Sequence, residues 1–291
     1  MPGTAPTPAA GEPVMAGFDA AAPGYDTHRV VFFTAIAARL AGQAGIKPGD
    51  RVLDAGCGAG AALIPASRAT GPAGQVTGID ISAPMLQRAA ATRAALRLGN
   101  VTLARADASD PPYAARSFDV VTANMMIFLL PGPARAVRAW LALLRPGGTL
   151  AFSWNIAEDP RWAPVIAAID AHVPGGEGFE ALLHHPPFGS TASVEAMLTA
   201  ADYTGITTTA ETAETRYTGP RHWWGASWSQ APRVAWQHIP EDQRPAARTE
   251  AFTLLSPLRD PGDGSLTRRP VIGCTTARKP LRPAGPASTQ P

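Results

Sequence analysis

The stretch Val52-Leu-Asp-Ala-Gly-Cys-Gly-Ala-Gly60 decides the fold. With Arg51 it opens as a short, mostly apolar run between Gly49-Asp50 and a set of glycines, which predicts a strand over 51–55. Gly56, Gly58 and Gly60 follow at once, giving a turn whose backbone can approach a ligand closely before a helix begins. The spacing Gly56-x-Gly58-x-x-Ala61 also meets the loose dinucleotide fingerprint, so the glycines leave the ligand open. The neighbouring carboxylates narrow it. Asp54 stands two residues before the first glycine, where a pyrophosphate gains nothing from an anion but an ammonium or a sulfonium does. Asp80 closes the next strand, where an acid can hydrogen-bond two ribose hydroxyls. Asp107 follows the third strand, placed to accept from an adenine amino group.

Outward from this stretch the chain alternates. Helical spacing of Val30, Phe33, Ala37 and Leu40 predicts a helix over 27–44. Further strands are expected at 75–80, 101–105, 118–123 and 149–154, with helices at 61–69, 83–98 and 133–144. Strands alternating with helices mean a doubly wound, Rossmann-like α/β sheet, mostly parallel and covered on both faces. After Trp154 the rhythm breaks: 155–190 reads as irregular, 191–201 as a helix and 206–217 as a Thr-rich strand. The segment 220–259 reads as aromatic and mostly helical, broken at Pro232, Pro240 and Pro245, and 270–278 as a last strand.

Five pieces in register resemble the class I S-adenosylmethionine-dependent methyltransferases, in the small-molecule branch of the ubiquinone and menaquinone biosynthesis enzymes. They are Leu53-Asp-Ala-Gly-Cys-Gly-Ala-Gly60, Gly78-Ile-Asp-Ile-Ser82 with Met85, Ala106-Asp-Ala108, Ser117-Phe-Asp-Val-Val-Thr-Ala-Asn124 and Leu144-Arg-Pro-Gly-Gly-Thr-Leu150. The resemblance is close over about 17–154 and weak beyond it. It implies a seven-stranded sheet with helical insertions over the substrate, and S-adenosylmethionine as cofactor. By the same resemblance Asp80 takes the ribose, the Gly56–Gly60 loop lies near the methionine part, and Asp107 with Ala108 takes the adenine, with Asp54, Ile81 and Met85 among the cofactor-binding residues. Asn124 then lines the site, and Tyr25, in Gly24-Tyr-Asp, matches an N-terminal tyrosine that covers the cofactor in many relatives.

The expected organisation is a tail over 1–13, one domain over 14–281 and a second tail over 282–291. Within the domain, 14–154 binds cofactor, 155–265 holds the substrate-covering segments and late sheet elements, and 266–281 the last strand. Composition excludes other classes. Of 291 residues 45% are hydrophobic, and 25 Lys+Arg balance 23 Asp+Glu to a net charge of +2, which asks for neither nucleic acid nor an anionic membrane. Apolar candidates for a membrane span such as Met125 to Leu130 are far too short, and Cys57 and Cys274 form no metal spacing. A cytoplasmic chain with a small-molecule substrate and no metal is expected, compatible with a homo-oligomer.

Two motifs mislead. Asp110-Pro-Pro-Tyr113 spells the base-holding motif of adenine-N6 DNA methyltransferases, but it precedes the fourth strand instead of following it. His184-His185 has no carboxylate or cysteine at ligand spacing.

On the substrate side, Trp224 and Trp228 lie one helical turn apart with Trp223 and His222 beside them, which predicts an aromatic pocket wall. Glu158, just past the fifth strand, and His222 lead the candidates for a general base, ahead of Asp159, His172 and Glu180. The expected reaction is methylation of an apolar secondary metabolite at oxygen or carbon. One alternative is carbon methylation of a prenyl chain or prenyl diphosphate through a carbocation, the diphosphate requiring Mg2+. Others, of a different class, are a non-catalytic cofactor binder or an NAD-dependent oxidoreductase.

Overall fold

The computed structural model describes residues 12–25, 32–175, 178, 185–229 and 233–281. Nine strands form a seven-stranded sheet and a two-stranded one. They are β1 Arg51–Ala55, β2 Gln75–Asp80, β3 Val101–Arg105, β4 Phe118–Ala123, β5 Leu144–Ala157, β6 Thr204–Thr212, β7 Thr215–Tyr217, β8 Leu266–Arg268 and β9 Val271–Arg278. The large sheet runs β3-β2-β1-β4-β5-β9-β6, and β7 pairs with β8. Pairing is parallel from β3 to β5, whereas β9 is antiparallel to both β5 and β6.

Why the first strands form is plain from their burial. In β1 every residue after Arg51 is buried, and consecutive residues feed opposite faces. Leu53, Val121 and Leu150 join one hydrophobic cluster with Trp140 and Leu198, whereas Val52, Val120 and Ala151 join another with Leu40, Leu63 and Ala89. A strand with helices on both sides has no solvent face, so it reads as a continuous apolar run. The covering helices are α2 Phe32–Gln43, α3 Leu63–Thr70 and α4 Ala83–Ala95 on one side, α5 Pro133–Leu143 and, in chain order after α6, α7 Thr191–Thr199 on the other. Because β2 and β4 flank β1 and their connections run to opposite sides, the crevice beyond the carboxyl ends of β1 and β4 is the place such a sheet offers a ligand.

Several expectations change. β5 begins at Leu144, which pairs with Phe118, so the strand takes in Pro146-Gly-Gly. The Thr-rich run divides at Ala213-Glu214: β6 is an edge strand of the large sheet, and β7 joins the small one. Within the segment read as irregular lies α6 Ala163–Asp170. Pro245 sits in the first turn of a helix instead of breaking one, since a first-turn N–H has no partner to lose. The aromatic segment forms α8 Pro220–Trp228, α9 Arg233–His238 and α10 Arg244–Leu255; Pro232 lies outside the described residues. A helix not expected, α1 Glu12–Ala21, starts in the last residues of the predicted tail and packs against α4 and α9. With α6, β7 and β8, the helices α8 to α10 build a further hydrophobic cluster around Trp162, Trp223 and Trp236. No described helix is long and apolar enough to cross a membrane.

Candidate functional site

A cavity of about 900 Å³ opens beyond the carboxyl ends of β1, β2 and β4. The glycine loop forms its floor. Gly56, Gly58 and Gly60 have φ of +66°, +52° and +99°, which side chains rarely adopt, and a Cβ on Gly56 would stand 2.6 Å from Met126 Cε. The Cys57 amide donates to the Ile79 carbonyl (2.8 Å) and ties the loop to β2.

Asp80 closes β2 and organises the loop, accepting from the Gly58 amide through Oδ2 (2.8 Å) and from the Ser82 amide through Oδ1 (2.9 Å). Burial pushes its carboxyl above the usual range, the two amides opposing and Asp19 adding to the rise. Asp54 is 1% exposed and takes a hydrogen bond from Thr122 Oγ1 on Oδ1 (2.9 Å). Its Oδ2 is buried with no partner among the described residues. Burial lifts this carboxyl to about 7, the Thr122 bond opposing and the Asp80 charge adding. A cation beside this carboxyl would favour its ionised form and offset the cost of burying it.

The remaining predicted cofactor residues meet here too. Tyr25, Ile81, Met85, Asp107, Ala108 and Asn124 all line the cavity with Asp54, Asp80 and the three glycines. Asp107 accepts from the Ser109 amide (2.8 Å), and the Ala108 carbonyl accepts from Trp140 Nε1 (2.8 Å), fixing that loop on α5. Asn124 bridges α2 to β5, donating to the Phe33 carbonyl (3.3 Å) and accepting from Ser153 Oγ (3.0 Å). Sequence reasoning missed the apolar wall formed by Met15 and Phe18 of α1, Phe33, Met125, Leu129 and Leu130. Its signal was the run Met125 to Leu130, too short for a membrane and here a cavity wall.

The substrate-side candidates are not brought to this cavity. Glu158 lies in a part-buried, two-point ion pair, its Oε1 accepting from Arg268 Nε (2.8 Å) and its Oε2 from Arg268 Nη2. His222 Nδ1 accepts from the Thr218 amide (3.0 Å), and its ring packs edge-on to Tyr217. Trp223 faces a separate cavity of about 40 Å³ with Trp162, Trp236 and Arg268. Trp224 and Trp228 share a face as their spacing requires, but that face meets Trp236, with ring centroids 4.3 and 6.3 Å away. Asp159 is paired with Arg161, and His172 with Glu250. Glu180 and His184 fall outside the described residues, whereas His185 bonds the Phe128 carbonyl. Asp110 pairs with Arg135 on the surface, and Tyr113 packs edge-on against Phe118. No described cluster of His, Cys, Asp or Glu could hold a metal.

Comparison with known proteins agrees with this geometry. A methyltransferase-domain family matches residues 52–148. Nocamycin O-methyltransferase of Saccharothrix syringae is 36% identical over 280 residues, covering 92% of this chain and 98% of its own. Aklanonic acid methyltransferase DauC of Streptomyces sp. (strain C5) is 35% identical over 169 residues, 55% of this chain and 77% of its own. Among solved structures, the YcgJ protein of Bacillus subtilis superposes with a TM-score of 0.58 at 17% identity, covering 84% of this chain and 98% of that one, a likeness of fold. The chain belongs to the S-adenosylmethionine-dependent methyltransferases. Within them it is similar to the nocamycin enzyme over most of both chains, and the dehydrogenase alternative falls away.

Proposed function

We propose that this methyltransferase acts on an acidic oxygen of an apolar small molecule of antibiotic-type secondary metabolism. The observation that carries the donor site is the buried, unpartnered Oδ2 of Asp54 at the cavity floor, which suits a cationic donor. When bound, S-adenosylmethionine supplies an electrophilic methyl on a positively charged sulfur. In this reading Asp80 takes the ribose hydroxyls, Asp107 and Ala108 the adenine, and the Gly56–Gly60 loop and Asp54 the amino-acid end. Tyr25, Ile81, Met85 and Asn124 complete the walls.

The acceptor's chemistry follows from what the cavity lacks. Among the described lining residues the titratable side chains are Tyr25, Asp54, Cys57, Asp80, Arg88 and Asp107. The acids are assigned to the donor, and burial holds the Cys57 thiol well above its ordinary value. With no described group left to remove a proton, the reading requires an oxygen already ionised near neutral pH, as in a carboxylic or enolic acid. Orientation against the apolar wall then does the rest. The relatives' names, an O-methyltransferase and an aklanonic acid methyltransferase, support this. The prenyl diphosphate alternative, with its Mg2+, rested on tryptophans that here face one another.

The test is methyl transfer from labelled S-adenosylmethionine into apolar carboxylic and enolic acids, phenols and prenyl diphosphates, with Mg2+ or chelator. Label in the acids, indifferent to chelator, is expected. Label entering only a diphosphate, and only with Mg2+, overturns the reading.

A further inference from the structure

α1 lies outside the sheet and its covering helices, yet it reaches the donor site. Met15, Phe18 and Asp19 share one face of it, at helical spacings of three and four. The first two line the cavity. Asp19 Oδ1 accepts from Ser82 Oγ at 2.5 Å. Ser82 also caps α4 by accepting from the Met85 amide (3.2 Å), and its own amide donates to Asp80. A continuous chain of hydrogen bonds therefore runs from α1 through Ser82 and Asp80 to the Gly58 amide. A second tie secures the helix end: Arg88 of α4 donates to the carbonyls of Tyr25 (2.7 Å) and Pro23 (3.3 Å).

This docking has an electrostatic cost. It brings the Asp19 carboxylate against Asp80, whose charge in turn acts on the buried Asp54, so a third acid stands behind the two on the cavity lining. Arg88 is the only described cation on the lining. In the reading above the buried Asp54, with an oxygen that no described residue satisfies, takes the donor's ammonium, and the sulfonium is the further charge that offsets the other acids. Methyl transfer removes one positive charge from the site. The carbon–sulfur bond breaks with its electron pair left on sulfur, a bond forms from the methyl to the acceptor oxygen, and that anion is neutralised.

We propose that Asp19 is the residue by which this site distinguishes the charged methyl donor from its neutral, demethylated product. The donor's charge offsets the acids that α1 brings together, so α1 docks. Loss of that charge weakens the docking and favours product release. This rests on the donor site proposed above and adds a residue from outside the core.

The experiment titrates the full chain by calorimetry with S-adenosylmethionine, with sinefungin, in which an ammonium replaces the methylated sulfur, and with neutral S-adenosylhomocysteine. Amide exchange of residues 12–25 is followed in parallel. Asp19→Asn keeps the acceptor for Ser82 and removes the charge. It is expected to lower the preference for sinefungin over S-adenosylhomocysteine by about five-fold, a partly screened interaction between charges. Asp19→Glu is expected to restore that preference. In the wild type the charged ligands slow exchange in α1 more than the thioether does. Should Asp19→Asn fail to fold, Ser82→Ala carries the test, since it frees α1 with its charge intact and reduces the same preference. An unchanged ratio in variants that bind both ligands overturns the role of Asp19. Failure of the wild type to bind any of the three overturns the donor site itself.

Discussion

Replacing Asp54 with Asn is expected to make the ligand-free protein more stable and leave it unable to bind its donor well. Burial raises this carboxyl from 3.8 to about 7. A folded-state value above the unfolded one means that the folded chain holds the proton more tightly. The stabilisation is fully present below about pH 4 and is lost as pH rises through about 7. A displacement of roughly three pH units, at about 1.4 kcal/mol each, amounts to about 4 kcal/mol lost in the wild type. Asn keeps the shape and can still accept from Thr122, but it has no charge to bury. Asp54→Asn should therefore unfold several degrees higher than wild type at about pH 8, with the gap closing as pH falls to about 4. Thermal unfolding of both proteins across that range gives the curve. Saturating S-adenosylmethionine should reverse the order at about pH 8, because only the wild type gains from it. Wild-type donor affinity should fall about ten-fold for each pH unit below 7. A variant less stable than wild type at high pH, or one with the same pH dependence, would refute the reasoning.

Other substitutions separate the roles of neighbouring groups. Asp80→Ala removes the acceptor for the Gly58 and Ser82 amides as well as for the ribose, so cofactor affinity measured by calorimetry should drop by about 1–3 kcal/mol. An unchanged affinity would put the ribose partner elsewhere. Gly56→Ala combines a φ of +66° with a Cβ 2.6 Å from Met126 Cε, and should lower both melting temperature and donor binding. Adding Met126→Ala should recover the part due to the contact and leave the backbone strain, of about 1–2 kcal/mol. Glu158→Gln removes the charge that balances the part-buried Arg268 guanidinium and should cost about 1–3 kcal/mol of stability, read by denaturant unfolding. Methyl transfer per folded molecule should keep its pH profile, whereas loss of a limb of that profile would restore Glu158 as a base.

What the sequence made legible follows from how local each signal is. β1 to β4 appear with the bounds read from their residues, because a strand buried on both faces between glycine turns carries its whole signature within itself. All eleven residues expected around the cofactor line one cavity; most stand at a strand end or in the turn that follows it, whereas Met85 lies in the first turn of α4 and Tyr25 ahead of the sheet. The misses are non-local. Nothing within Leu144 to Gly148 announces a strand; its pairing comes from Phe118, 26 residues away in register. The division of the Thr-rich run depends on Ala213 turning to bond the Pro270 carbonyl, a partner the run does not contain.

The tryptophans show where such reasoning must stop. A spacing of four residues says that Trp224 and Trp228 share a helical face, and they do. It says nothing of what that face meets. A half-buried indole next to a cavity and one next to another indole satisfy the same periodicity. The choice is made by α9 and α10, which bring Trp236 and Phe252 to the aromatic face and set Arg233, Arg244 and Arg248 over its rings. These contacts give α6 and α8 to α10 a hydrophobic cluster of their own, distinct from the two that flank the sheet. With these tryptophans committed there, the described cavity wall is left to flexible and aliphatic side chains such as Met125, Met126, Leu129 and Leu130, with Phe18 and Phe33 beside them. Such a wall can adapt to the shape of an acceptor without offering it a proton acceptor. On the proposed reading, selectivity for an already ionised oxygen needs no dedicated residue on that wall, because only an acceptor that arrives deprotonated would react.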